Sequence, residues 1–369
     1  MVITPTNFQK SVASALCAAR AADTPVGTYG KDGRLYIYVN DRFAIRCKTT
    51  GSFQKPFSFI TTAGELRKVL AIPGNISFEM SDASPIVSFI WGQNELKIRT
   101  IEKEMPEMRK PAADAVSFTI PSAIIKQMCR DTLWVNEGNE SFPNVRLKME
   151  AKGGVGKLTV YAVDSKTILK RQENFETNDP DFESIVDINA AHLKTLLSTI
   201  DSENMNITIS DGILFLSTES MLIDAKYIVG EHVVPDAEKI LSIRDAKYST
   251  VFDKSEMLEK LKLASVFSGE GKNARVVLSF FKSETRVKAM AQDGIAGDMQ
   301  VLSELSNDNA CGTRAAFSIN LLDNIIRSYQ DDEVKLEFSS STQPFWLHAE
   351  DGGEEDKSEM LACFMPLKI

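Results

Sequence analysis

The chain has 369 residues, 43% of them hydrophobic and 25% charged, with a formal net charge of −9. This balance excludes a disordered chain, and at roughly 100 to 200 residues per domain it predicts two or three folded domains. It also excludes a surface coated in positive potential, although one localised basic face is compatible with it. Five cysteines, Cys17, Cys47, Cys129, Cys311 and Cys363, stand singly without CxxC spacing, and His192, His232 and His348 are far apart. A disulfide framework, a zinc site, a histidine-activated nucleophile and a bound cofactor are therefore not expected. No apolar run reaches the roughly 18 to 20 residues of a membrane span, and the opening VITPTNFQKS is polar, so a cytoplasmic protein is expected.

In chain order, an amphipathic helix over NFQKSVASALCAARAA precedes alternating strands in GRLYIYVNDRFAIRCK, a second helix in ITTAGELRKVLAI and strands in NISFEMSDASPIVSFIW. The same order follows from PSAIIKQMCRDTL through NVRLKMEAKGGVGKLTVYAVDSKTILK and DINAAHLKTLLSTI to NITISDGILFLSTESMLIDAKYIV. A third copy runs from DKSEMLEKLKLASVF through ARVVLSFFKSETRVKAMAQDGIAGDMQV and SINLLDNIIRSYQ to VKLEFSSSTQPFWLHAEDGGEEDKSEMLACFMPL. A period of roughly 115 to 130 residues is far above that of solenoids, so each copy is a domain. Boundaries are expected at EMPEMRKPAAD and around SIRDAKYST, giving domains at 1–112, 113–243 and 244–369 of α+β class.

Within the second copy, KGGVGK raises the question of a phosphate-binding loop, with Lys152, Gly153, Gly154, Gly156 and Lys157 in place. Leu158 stands where a Mg²⁺-ligating hydroxyl belongs, and the glycine spacing lands on Ala151. Val145, Leu147 and Met149 alternate before the loop; Leu158, Val160 and Ala162 alternate after it. A strand on each side predicts a hairpin turn, because a phosphate loop must lead into a helix.

Three copies of one module, closed by CFMPLKI, with the Val233-Val234-Pro235-Asp236 turn, the strand YAVDSKTIL and the segment DKSEMLEKLKLASVF, resemble the bacterial β sliding clamp family. Lys166 and Lys239 depart from its usual histidine and arginine, so the chain looks like a divergent or phage-type member. The resemblance implies a non-enzymatic ring of two chains around duplex DNA, helices lining the hole and sheets forming the shell, that tethers the polymerase for processive synthesis. It further implies sequence-independent phosphate contacts from Lys10, Arg20, Arg67, Lys68, Lys126, Arg130, Lys194, Lys254, Lys260, Lys262 and Arg327. Polymerase, clamp loader and repair proteins would dock short peptides on Pro143, Val163, Ser165, Lys166, Ile168, Pro235, Lys239, Ile240, Thr342, Pro344, Cys363, Phe364, Met365, Pro366 and Leu367. Val266 and Phe267 would lie in the dimer interface. Two other readings stay open: a clamp-fold binding protein that does not encircle DNA, and a nucleotide-binding enzyme using KGGVGK.

Overall fold

Period-two alternation builds much of this chain into strands. The computed structural model describes residues 2–41, 43–81, 84–105, 109–115, 117–226, 234–268, 274–291, 294–349 and 359–368. His232, Val233 and part of the EMPEMRKPAAD boundary lie outside the described residues.

The first repeat comprises β1 (Val2–Pro5), α1 (Phe8–Leu16), β2 (Pro25–Lys31), β3 (Arg34–Asn40), β4 (Ala44–Ser52), β5 (Phe57–Thr62), α2 (Ala63–Arg67), β6 (Ser77–Met80), β7 (Ile86–Trp91) and β8 (Asn94–Arg99). The second comprises β9 (Ser117–Pro121), α3 (Ser122–Thr132), β10 (Asn144–Lys152), β11 (Val155–Val163), β12 (Thr167–Glu176), β13 (Phe182–Asn189), α4 (Ala190–Thr199), β14 (Asn204–Ser210), β15 (Ile213–Ser217) and β16 (Met221–Lys226). A short helix, α5 (Ala237–Ser242), precedes the third. That repeat holds β17 (Tyr248–Asp253), α6 (Lys254–Phe267), β18 (Arg275–Phe280), β19 (Glu284–Ala291), β20 (Gly294–Leu305), β21 (Arg314–Ser318), α7 (Ile319–Arg327), β22 (Glu333–Phe338), β23 (Phe345–Ala349) and β24 (Glu359–Phe364). Strand, helix, four strands, helix, three strands recur three times, so the α+β class and the repeat order are as expected.

Several details differ from the sequence reading, and β2, β5, β8, β13 and β21 lie outside the stretches it read as strands. Each repeat opens on a short strand, β1, β9 or β17, too brief for alternation to announce. The linker contains α5, which was not expected. The first helix stops at Leu16 rather than running on through Ala22. Its alanines favour helix, but Asp41 Oδ2 accepts from the Arg20 N–H at 2.7 Å and the Thr24 hydroxyl at 2.8 Å, turning the chain away; tertiary bonding overrides propensity.

KGGVGK is a hairpin. Lys152 pairs with Val155 across Gly153 and Gly154, whose φ angles of 59° and 85° are those of a primed two-residue turn, and β11 leads into strand β12. With no helix N-terminus after it, the loop has no dipole to hold phosphate.

Two compact units make up the chain. One joins Met1–Ala123 to His192–Tyr227, the other Ile124–Ala191 to Ile228–Ile369. Each holds one 12-stranded sheet. In the first unit, β4 of the first repeat pairs with β16 of the second; in the other, β12 of the second repeat pairs with β24 of the third. This division follows the sheets, whereas the predicted one follows the repeats.

In the first unit Phe8, Val12, Ala15 and Leu16 bury one face of α1, and Phe8 meets Phe78 with ring centroids 5.4 Å apart. The second unit packs Phe280 on Phe338 at 4.6 Å, and Ile319, Leu322, Ile325 and Ile326 turn α7 inward. Asp253 caps α6, its Oδ1 accepting from Glu256 N–H at 2.7 Å, and Met257, Leu261 and Ala264 bury one stripe of that helix. Among the described residues no helix is long and apolar enough to cross a membrane.

Candidate functional site

A second buried cluster in the carboxy-terminal unit lies where the linker meets β11, β12, β23 and β24. Alternation selects its members: Tyr161 and Val163 share one face of β11, Leu361 and Cys363 one face of β24, with Ile168 of β12 and Trp346 of β23 beside them. Register fixes the approach, since Ile168 pairs with Cys363 and Trp346 also pairs with Cys363. Onto this floor the linker sets Val234, Ala237 and Leu241, the last two one helical turn apart.

Polar contacts hold the linker in place. Asp236 caps α5 by accepting from the Lys239 N–H at 3.1 Å. Tyr161 donates its hydroxyl to Glu238 Oε1 at 3.0 Å; burial and then the Glu238 charge push its pKa well above the usual phenol range. Lys148 Nζ lies 3.4 Å from Glu183, 3.6 Å from Glu238 and 3.7 Å from Glu150. Asp187 receives the Arg146 guanidinium at 2.8 and 2.9 Å and also faces the Val234 N–H at 3.4 Å. Arg244, just past α5, donates to Glu337 of β22 at 2.7 Å, and His348 Nε2 stands 3.2 Å from the same carboxylate.

The chain end forms the adjoining wall. Met365 N–H donates to Lys166 O at 2.9 Å, and Leu367 N–H donates to Ala316 O of β21 at 2.7 Å. Asp164 Oδ1 accepts from the Lys166 and Thr167 N–H groups at 2.8 and 2.7 Å, shaping the turn before β12. Asn136 Nδ2 bridges Phe142 O and Val163 O, drawing the Pro143 loop to β11.

Of the fifteen residues expected here, Val163, Ile168 and Cys363 sit within the buried cluster. Pro143, Pro235, Pro344, Met365, Pro366 and Leu367 are half-buried, while Ser165, Lys166, Lys239, Ile240 and Thr342 are exposed. Phe364 differs. It points to the opposite face of β24, into the aromatic core of the third repeat, 5.5 Å from Phe317 and 6.3 Å from Phe345. Tyr161, Val234, Ala237, Leu241, Trp346 and Leu361 were missed. The Tyr161/Val163 and Leu361/Cys363 alternation was a readable signal for two of them; Trp346 had none, because its pairing with Cys363 is a tertiary fact.

Ten of the eleven cations expected to face DNA lie on or directly after helices, and Arg20 lies beyond the end of α1. Several have acidic neighbours: Lys10 with Asp201, Arg20 with Asp41 at 3.7 Å, Lys68 with Glu65 at 2.6 Å, Lys260 with Glu259 at 3.2 Å and Arg327 with Asp323 at 2.6 Å. Lys254 donates to Tyr329 O. Lys126, Arg67, Arg130, Lys194 and Lys262 complete the set. Val266 and Phe267 on α6 are 71% and 48% exposed, so the helix presents them to solvent. A Cβ at Gly297 would stand 2.9 Å from the Phe267 ring, which places that ring against β20.

This triply repeated module of eight strands and paired helices is the sliding-clamp fold. The structure covers all of a DNA polymerase III β chain from Streptococcus pneumoniae TIGR4 and is covered by it in full, with a TM-score of 0.84 at 14% identity. It likewise matches the DNA polymerase sliding clamp of Bacillus subtilis, TM-score 0.84 at 16% identity, over 100% of this chain and 99% of that one. In sequence it is 21% identical over 264 residues to the beta sliding clamp of Lactococcus lactis subsp. lactis (strain IL1403), covering 69% of this chain and 67% of the relative. No family model matches the chain.

Proposed function

We propose that this chain is a DNA sliding clamp with three modules at 1–112, 113–243 and 244–369. Two copies close head to tail around duplex DNA in the cytoplasm and tether a replicative polymerase without performing chemistry. The observation that carries this reading is a repeated seam. The fourth strand of one repeat pairs with the eighth of the next at β4–β16 and again at β12–β24. That leaves β8, the eighth strand of the first repeat, and β20 along Gly294–Leu302, the fourth strand of the third, without such a partner among the described residues. Open edges invite pairing with another chain, and β8 of one copy against β20 of a second repeats the same seam twice, which closes a ring. Val266, Phe267 and the exposed Ile295 and Leu302 supply apolar surface beside that edge.

Duplex DNA is then held through phosphates by the helix cations. Their exposed ion pairs are worth only about 0 to 1 kcal/mol each, so the side chains remain free to exchange carboxylate for phosphate. Partner peptides dock on the cluster around Cys363, Ile168 and the linker, with Met365, Pro366 and Leu367 as one wall. Lys166 and Lys239 make no ion pair among the described residues and favour a peptide with an acidic residue near its anchors. Loading the protein onto nicked circular DNA and then linearising it is the decisive test. A clamp is retained on the circle and lost from the linear form; equal retention on both would replace encirclement with ordinary surface binding.

A further inference from the structure

The side of the β2–β3–β4 sheet that faces away from the core carries a charge pattern unlike the rest of this acidic chain. Leu35, Ile37, Ile45 and Cys47 bury one face of β3 and β4, the face toward α1. The opposite face carries Tyr29 and Lys31 from β2, Arg34 and Tyr36 from β3, and Arg46 and Lys48 from β4; beside Arg46 the same face is covered, with Tyr38 buried and Met105 lying over Gly27. Register makes them neighbours: Tyr29 pairs with Tyr36, Lys31 with Arg34, and Tyr36 with Lys48. The two tyrosine rings stack with centroids 4.7 Å apart and an interplanar angle of 17°, and the Arg46 guanidinium lies 5.4 Å over the Tyr36 ring. Among the described residues none of the four cations forms an ion pair, although acidic residues outnumber basic ones by 51 to 42 in the chain.

We propose that this face binds single-stranded nucleic acid. Four unneutralised cations spaced along neighbouring strands suit a row of phosphates, and stacked aromatic and guanidinium planes suit bases that are free to leave their own stack. An acidic protein segment is the weaker fit. The exposed side chains named above are cations and tyrosines, and exposed ion pairs alone contribute little to an acidic peptide, whereas phosphate neutralisation with counterion release and base stacking act together. Duplex DNA hides the base faces that the tyrosines would meet. The inference is independent of ring closure, because the face belongs to one unit of one chain.

The test is fluorescence anisotropy of the full-length protein with labelled dT20, beside a labelled deca-glutamate peptide, over a range of salt. Wild type should bind dT20 with an affinity that falls steeply as salt rises. Arg46→Ala with Lys48→Ala should weaken it at least tenfold and reduce the slope of log affinity against log salt by about 1.4, at about 0.7 per lost phosphate contact. Tyr36→Ala should weaken binding several-fold and leave that slope unchanged. Lys31→Glu with Arg34→Glu, at the exposed end of the hairpin and outside the core, provides a second pair that does not threaten folding, and thermal melting checks each variant. Absence of dT20 binding by wild type, or equal affinity in folded variants of both pairs, overturns the proposal. So does deca-glutamate binding that is lost in the same variants while dT20 does not bind, which would assign the face to an acidic partner.

Discussion

Glu337 lies between the Arg244 guanidinium and His348, and these contacts outweigh the cost of burial to hold its carboxyl down at about 2, against an ordinary 4.5. A carboxylate with a depressed folded-state pKa contributes stability that is complete above its unfolded value. That contribution is lost as pH falls from about 4.5 towards 2. Replacing it in Glu337→Gln should therefore lower the urea midpoint at pH 7 and flatten the acid limb of stability below pH 4.5. An unchanged acid limb would mean that other carboxylates dominate. At the same scale, Cys363 and Phe364 are neighbours that serve different surfaces. Strand alternation sends one into the linker cluster and the other onto Phe317 and Phe345, so Phe364 contributes to the wall only by supporting the strand from behind.

The chain end acts as an element in its own right. Beyond β24 it is pinned at Met365 to the turn before β12 and at Leu367 to β21, two backbone bonds that hold a short segment against the apolar floor. Removing residues 365–369 should cost partner-peptide binding at least about 2 kcal/mol, the scale of a lost hot spot, while leaving the dimer intact. Titration of a fluorescent partner peptide checks this; equal affinity for truncated and full-length protein would put the peptide site elsewhere. Helix α5 belongs to the same floor. Leu241→Asp would put a charge into the cluster and should release the linker, seen as new protease cleavage near Ala237–Ser242.

Across the whole molecule, β8 and β20, left without a seam partner among the described residues, and the exposed pair on α6 bear on the same question. Burying Val266 and Phe267 at an interface is worth roughly 1.5 to 3 kcal/mol each, so Val266→Asp with Phe267→Asp should convert dimer to monomer with the modules still folded. Light scattering reads this directly, and a double variant that stays dimeric moves the interface. Arg130→Glu with Lys194→Glu should lower loading onto circular DNA more than it affects dimer formation, read as the amount of protein recovered on the circle beside the dimer mass. A preferred base sequence would contradict phosphate-only contact.

The sequence alone determined the repeat, strands such as β3, β4, β10, β11 and β12, and the KGGVGK hairpin, because each depends on local chemistry: alternation, helical spacing, and glycines able to take positive φ in a two-residue turn. Val163, Ile168 and Cys363 were named only through the resemblance to the β sliding clamp family, and they do lie together in the buried cluster. Tertiary structure decided the rest. Asp41, distant from α1 in sequence, ends that helix early. Trp346 joins the linker cluster through cross-strand register, and the basic face of β2, β3 and β4 exists only because pairing brings Lys31 beside Arg34 and Tyr36 beside Lys48. Lys31 and Arg34 meet across one short turn, but Asp41 and Arg20, Trp346 and Cys363, and Tyr36 and Lys48 are brought together by packing and hydrogen bonding between separate segments, which local chemistry does not fix.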